Sequence, residues 1–208
     1  IIGMILSVPM SARAVQPSPL PGDSVYQLDL ALVDQDARSF RLADLRGKPR
    51  LLTMFYASCP YMCPLIIDTL RLTERELDAR QRDALGVLMV SFDTARDDPA
   101  ALKALAGKRR IDTGRWSLAR ADAAGVRKLA AILGIQYRAL DDGEFSHSSV
   151  LILLDAEGRI VRQIYGQAFT AADIAEPLKA MVTGAPIPPQ TSTLAELADR
   201  VRIICSVY

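Results

Sequence analysis

The order of elements along the chain predicts an α/β domain built on a mixed sheet. Three observations carry this. Two near-continuous apolar runs, Arg50–Tyr56 and Val87–Phe92, read as strands buried on both faces. Amphipathic stretches with helical period follow them, which is the alternation of a parallel crossover. Later, Ser149–Asp155 and Arg159–Tyr165 flank the turn Glu157-Gly158, and such a tight turn makes an antiparallel hairpin. Parallel and antiparallel pairs in one chain imply a mixed sheet.

The elements follow in order. Tyr26–Leu32 alternates apolar and polar residues and reads as a half-buried strand. Asp34-Gln35-Asp36 turns the chain, and Ser39–Leu42 returns beside it. Leu45–Pro49 is a loop before the first buried strand. Leu65–Ala79 has its apolar residues at helical spacing, with charges opposite. Pro99–Lys108 is a second helix, with Asp97 or Asp98 as its N-cap and Pro99 in its first turn. Trp116–Ala119 is a short strand and Trp116 a core residue. Asp122–Leu133 is a helix stopped by Gly134. Thr170 caps a helix reaching about Thr183. Gly184-Ala-Pro-Ile-Pro-Pro189 breaks the chain, and Ser192–Ile204 has the pattern of a terminal helix.

Composition narrows the function. With 208 residues, half of them apolar, the chain suits one domain with a full core and short extensions. A formal net charge of +1 supplies no field that would recruit nucleic acid, so none is expected as a partner. Ile1–Val8 is an apolar run leading to Ala12-Arg13-Ala14, the small-x-small pattern of a signal peptidase site. Residues 1–14 therefore read as a signal-peptide remnant, 15–24 as a linker, 25–183 as the domain, and 184–208 as the Pro-rich breaker with its helix. The expected location is periplasmic or otherwise extracytoplasmic, with membrane contact made through terminal segments beyond those given. In such a compartment a cysteine pair forms a disulfide unless it is kept reduced.

The chemistry-bearing feature is Cys59-Pro-Tyr-Met-Cys63. It lies between the first buried strand and the helix after it, where open α/β sheets place their sites. A helix start supplies free amides and partial positive charge, and these favour a thiolate. Thiolate is both the nucleophile and the metal ligand. Three residues separate the sulfurs, against two in thioredoxin-type oxidoreductases. The wider loop closes a disulfide or splays both sulfurs around an ion. The single histidine, His147, stands in a polar loop before the strand Ser149–Asp155. Two thiolates and an imidazole make a soft three-donor set that selects copper(I), and copper(II) when a weak fourth ligand is present. Asp93 ends the second buried strand, as a turn residue or as support for the ligands. Met62 is an axial thioether candidate or a shield. Cys205, in the tail, is a third thiol whose simplest role is packing.

Three motifs appear together: Phe55-Tyr-Ala-Ser-Cys-Pro-Tyr-Met-Cys-Pro64, then Ser91-x-Asp93-x-x-Arg96-Asp97-x-Pro99, then Asp142-Gly143 leading to His147-Ser148. In this order and spacing, from about Val25 to Thr183, the chain resembles the Sco/SenC family of copper-binding cytochrome c oxidase assembly proteins. The resemblance implies a thioredoxin-like fold, a central mixed sheet flanked by helices. It implies copper held by Cys59, Cys63 and His147, with Asp93 in support. It also implies a metallochaperone that helps build the dinuclear copper site of the oxidase. Its partners would be the oxidase copper-site subunit and an upstream copper donor or thiol reductant. The alternative is a thiol–disulfide oxidoreductase in which Cys59 and Cys63 are the catalytic dithiol.

Overall fold

The computed structural model describes residues 18–166 and 170–188. The signal-peptide remnant, the start of the linker, the terminal helix and Cys205 lie outside the described residues.

Nine strands and five α-helices form the described chain. Strand β1 is Ala31–Asp34, β2 Ser39–Arg41, β3 Arg50–Phe55, β4 Gly86–Ser91, β5 Trp116–Arg120, β6 Tyr137–Ala139, β7 Phe145–His147, β8 Val150–Leu154 and β9 Ile160–Tyr165. Helix α1 is Met62–Arg75, α2 Ala79–Ala84, α3 Pro99–Arg109, α4 Ala123–Leu133 and α5 Ala171–Thr183. Seven strands make one sheet in the order β2-β1-β5-β4-β3-β8-β9. Strands β3, β4 and β5 are parallel, whereas β8 runs antiparallel to β3 and β1 antiparallel to β5. The expected mixed sheet is therefore present, with the strand that leads into the dithiol inside it, between β4 and β8.

Burial follows from this placement. Every residue of β4 and β8 is buried, as are Leu51–Phe55 of β3, so these strands carry no alternation. Trp116 is 1% exposed, and its indole Nε1 donates to Glu74 Oε1 at 2.9 Å. At Gly158 the backbone has φ of +82°, and an added Cβ would stand 2.5 Å from the Tyr26 ring, so the β8–β9 turn admits only glycine.

Several expectations shift. The segment expected as a strand from Tyr26 begins as a 3-10 turn, Val25–Gln27, because Ser24 Oγ accepts the Tyr26 amide. Strand pairing starts only at Ala31. The helix expected over Leu65–Ala79 starts earlier, at Met62, and ends at Arg75. Asp78 then caps a new helix through a reciprocal bond with Gln81, which breaks the period. Asp98, not Asp97, caps α3, its side chain accepting the Ala101 amide at 2.8 Å. His147 is not in a loop. It ends β7, which pairs with β6 in a separate two-stranded sheet.

Candidate metal centre

The site forms where β3 runs out. Cys59 lies in the loop after β3, and Cys63 is in the first turn of α1. The Cys59 amide donates to the Tyr56 carbonyl at 3.2 Å, which turns the chain, and the Cys63 amide donates to Cys59 Sγ at 3.4 Å. A free amide of the helix start thus faces a sulfur. Both thiols are buried and unbridged, with Cys59 9% and Cys63 3% exposed. Strand β7 brings His147 across, although it is 84 residues beyond Cys63 in the chain. The two Sγ atoms and an imidazole nitrogen all lie within 4.8 Å of one another. Donors sharing one ion at about 2.0–2.3 Å stand at most about 4.6 Å apart. The observed spread meets that limit with only a few tenths of an ångström of closing, so the donor set fits a single soft ion.

The charge on the pair is unequal. The Cys63 thiol hydrogen-bonds to the Cys59 sulfur and lowers its pKa to about 3, aided by His147 and the Cys63 and Tyr61 amides and opposed by burial. The same bond, with burial and the Cys59 charge, pushes the Cys63 pKa up. Cys59 is therefore the thiolate and Cys63 its proton donor. A depressed pKa keeps the reactive form present above that pKa and loses it only as pH falls through it. In the reduced, metal-free protein, iodoacetamide should modify Cys59 at a rate that stays flat from about pH 5 to about pH 8. A rate rising tenfold per pH unit up to about 8.5 would mark an ordinary thiol.

The histidine ring packs against two aromatic rings, which other rings support in turn. Its ring centroid lies 5.0 Å from Phe92 and 5.8 Å from Tyr56. Tyr137 stacks on Phe92 at 5.1 Å, and Phe145 meets it edge-on at 5.0 Å. His147 Nδ1 is 3.3 Å from the Ser148 carbonyl. A carbonyl only accepts, so this bond places a proton on Nδ1 and leaves Nε2 as the ligand nitrogen. The Tyr56 hydroxyl donates to Glu144 Oε2 at 2.6 Å, tying the end of β3 to the start of β7. Burial, then this bond, pushes the Tyr56 pKa up, so the phenol stays protonated.

Asp93 is 3% exposed and stands outside the three-donor group. It pairs with Arg96, whose guanidinium also donates to the Gly143 carbonyl in the loop before β7. Its link to the site runs through that loop. Asp97, expected only as a cap, proves closer in effect. It is 2% exposed and accepts the Ala57 amide at 2.8 Å and the Ser91 hydroxyl. It thereby fastens the loop two residues before Cys59 to the end of β4. Burial raises its pKa, opposed by those two donors. Met62 is half-buried against the core at the first residue of α1.

A mixed sheet with a dithiol at the amino end of α1 and an imidazole facing it defines a thioredoxin-like protein with a two-sulfur, one-nitrogen centre. The SCO1/SenC family model matches residues 20–183. The chain belongs to that family. A Stutzerimonas stutzeri protein, provisionally named as copper-binding, is 28% identical over 139 residues, 63% of this chain and 65% of its own length. Bradyrhizobium japonicum ScoI, solved with copper bound, superposes with a TM-score of 0.60 at 24% identity, over 73% of this chain and 96% of its own. BsSco, described as a Sco-family oxidase assembly protein with a disulfide switch, gives 0.63 at 19%, over 74% and 91%. The chain spans just under two thirds of the Stutzerimonas relative.

Proposed function

We propose that the protein binds one copper through Cys59, Cys63 and His147 and hands it on, outside the cytoplasm, to the dinuclear copper site of a cytochrome c oxidase subunit. The observation that carries this is the convergence of two sulfurs and one nitrogen within 4.8 Å. Membership of the SCO1/SenC family, the copper in the Bradyrhizobium protein and the oxidase assembly described for the BsSco family support it. Three donors leave copper(I) open to ligand exchange, so an incoming thiolate or imidazole replaces one ligand at a time and free metal is never released. Among the described residues no helix is long and apolar enough to cross a membrane. An upstream copper donor or thiol reductant would keep the site loaded and reduced.

The test is a copper(I) titration of the reduced protein against a competing chelator. Wild type should take one copper per chain, and His147→Ala should bind more than about 10–100-fold more weakly, the range for losing mere ligand support. Equal affinity in the two would remove the nitrogen from the site.

A second reading is favoured by the ionised Cys59 beside its proton donor, Cys63. That pair is built to reduce a partner's disulfide, including the paired cysteines of the oxidase copper site. The disulfide switch described for BsSco supports this reading. In it His147 contributes no ligand, so His147→Ala would keep its reductase activity.

A further inference from the structure

Far from the dithiol, five arginines from three segments converge on one pocket of about 280 Å³. Arg71 and Arg75 come from the last two turns of α1, Arg82 from α2, and Arg110 and Arg115 from the chain between α3 and β5. Among the described residues only two carboxylates line the same pocket, Glu74 and Asp112, and both are committed. Glu74 accepts from Trp116 and pairs with Arg115 Nε at 3.4 Å, and Asp112 pairs with Arg115 Nη2 at 3.0 Å. Three carbonyls at or just past the helix ends, which would repel an anion, are capped as well. Arg71 donates to the Arg109 carbonyl at 3.1 Å, and Arg82 to the carbonyls of Glu74 and Leu77. Each cap uses part of a five-donor fork and leaves donors over on a side chain that lines the pocket. Arg75 and Arg110 have no ion pair or hydrogen-bond partner through their side chains among the described residues.

Arg110 adds an independent observation. It is the C-cap of α3, with φ of 51° and ψ of 46°. Helices α4 and α5 end in the same left-handed conformation on Gly134 and Gly184. That conformation is strained for any residue with a Cβ. Among the described residues only Ala37 and Arg110 adopt it without being glycine. At α3 the chain accepts strain and places a guanidinium at the pocket where a glycine would relieve it.

We infer that this pocket binds a phosphate-type oxyanion, either a free small anion or the headgroup of an anionic lipid. Guanidinium forks match tetrahedral oxyanions in a bidentate manner. The volume suits a small anion and falls below the usual range for drug-sized ligands. From Cys63 to Arg75 the helix rises about 18 Å, so a ligand here leaves the metal donors untouched. The inference is therefore independent of what the dithiol does.

The test uses the full chain, metal-free, at low ionic strength. Equilibrium dialysis with inorganic phosphate measures the free anion, and flotation with phosphatidylglycerol-containing phosphatidylcholine vesicles measures the headgroup. Arg110→Gly removes the guanidinium but keeps the left-handed cap, so its unfolding midpoint should equal or exceed that of wild type. Lys128→Ala, at an exposed position of α4, removes the same charge elsewhere. Wild type and Lys128→Ala should bind in at least one assay, and Arg110→Gly about tenfold more weakly. Binding in dialysis alone identifies a free anion, and binding in flotation alone a headgroup. Wild type that binds in neither assay, or equal weakening by Arg110→Gly and Lys128→Ala, would overturn the inference.

Discussion

Replacing Cys63 by serine should abolish copper(I) binding, and so should Cys59→Ser, but the two variants should part company in thiol chemistry. With either sulfur gone, only one thiolate and His147 remain of the three donors. Loss of a ligand costs more than the roughly 10–100-fold lost with a ligand's support. One copper per chain should therefore fall to none under a competing chelator. Stoichiometry that persists in both single variants would place the metal elsewhere. The asymmetry comes from the proton. Cys59 is the thiolate and the more exposed sulfur, and Cys63 is protonated and deeper. In reduction, the Cys59 thiolate attacks a partner disulfide, a Cys59–partner bond forms, and one partner thiolate leaves. Cys63 then loses its proton and displaces the second partner sulfur. The partner gains two electrons and the Cys59–Cys63 disulfide holds the oxidation. Cys63→Ser should stall at the mixed disulfide, visible as a partner-linked species lost on adding reductant. Cys59→Ser should trap none. Trapping by Cys59→Ser and not by Cys63→Ser would reverse the assignment.

How far the sequence alone reveals this site depends on the range of each signal. Strands β3, β4 and β8 are legible because burial on both faces leaves uninterrupted apolar runs. The dithiol is legible because spacing and junction are local. His147 is legible by scarcity, being the single histidine, but its strand is not. A three-residue strand such as β7 carries too little period to read, and its partner β6 is equally short. Asp97 and Asp98 are adjacent carboxylates before a proline, and either satisfies the pattern of a cap. Only the three-dimensional path shows Asp98 facing the helix amides and Asp97 turned back to the Ala57 amide. The ring cluster around His147 is invisible for the same reason, since Tyr56, Phe92, Tyr137 and Phe145 come from separate segments. The break at Asp78 could have been read from Asp78 and Gln81, a capping-box pair inside an otherwise helical stretch.

That ring cluster sets the second large effect, at Phe92. Among the described residues β6 and β7 pair only with each other, and an isolated two-stranded ribbon is marginal in water. What positions His147 is therefore the packing beneath it. Phe92 is 3% exposed and lies at 5.0–5.5 Å from the rings of Tyr56, Tyr137, Phe145 and His147, spacings at which aromatic pairs add to the gain from burial. Its amide also donates to the Phe55 carbonyl at 2.9 Å, so its backbone is fixed to the strand that leads to Cys59. Phe92→Ala should lower unfolding stability by about 3–5 kcal/mol, read by urea denaturation. It should also weaken copper(I) binding by about 10–100-fold, because the ligand survives and its support does not. Phe92→Leu refills most of the volume without the ring, so it should recover most of the stability and less of the affinity. If Phe92→Ala lost stability but bound copper as wild type does, the hairpin would be holding His147 unaided. The Tyr56–Glu144 bond and the Arg96 contact to Gly143 would then be the supports to test next.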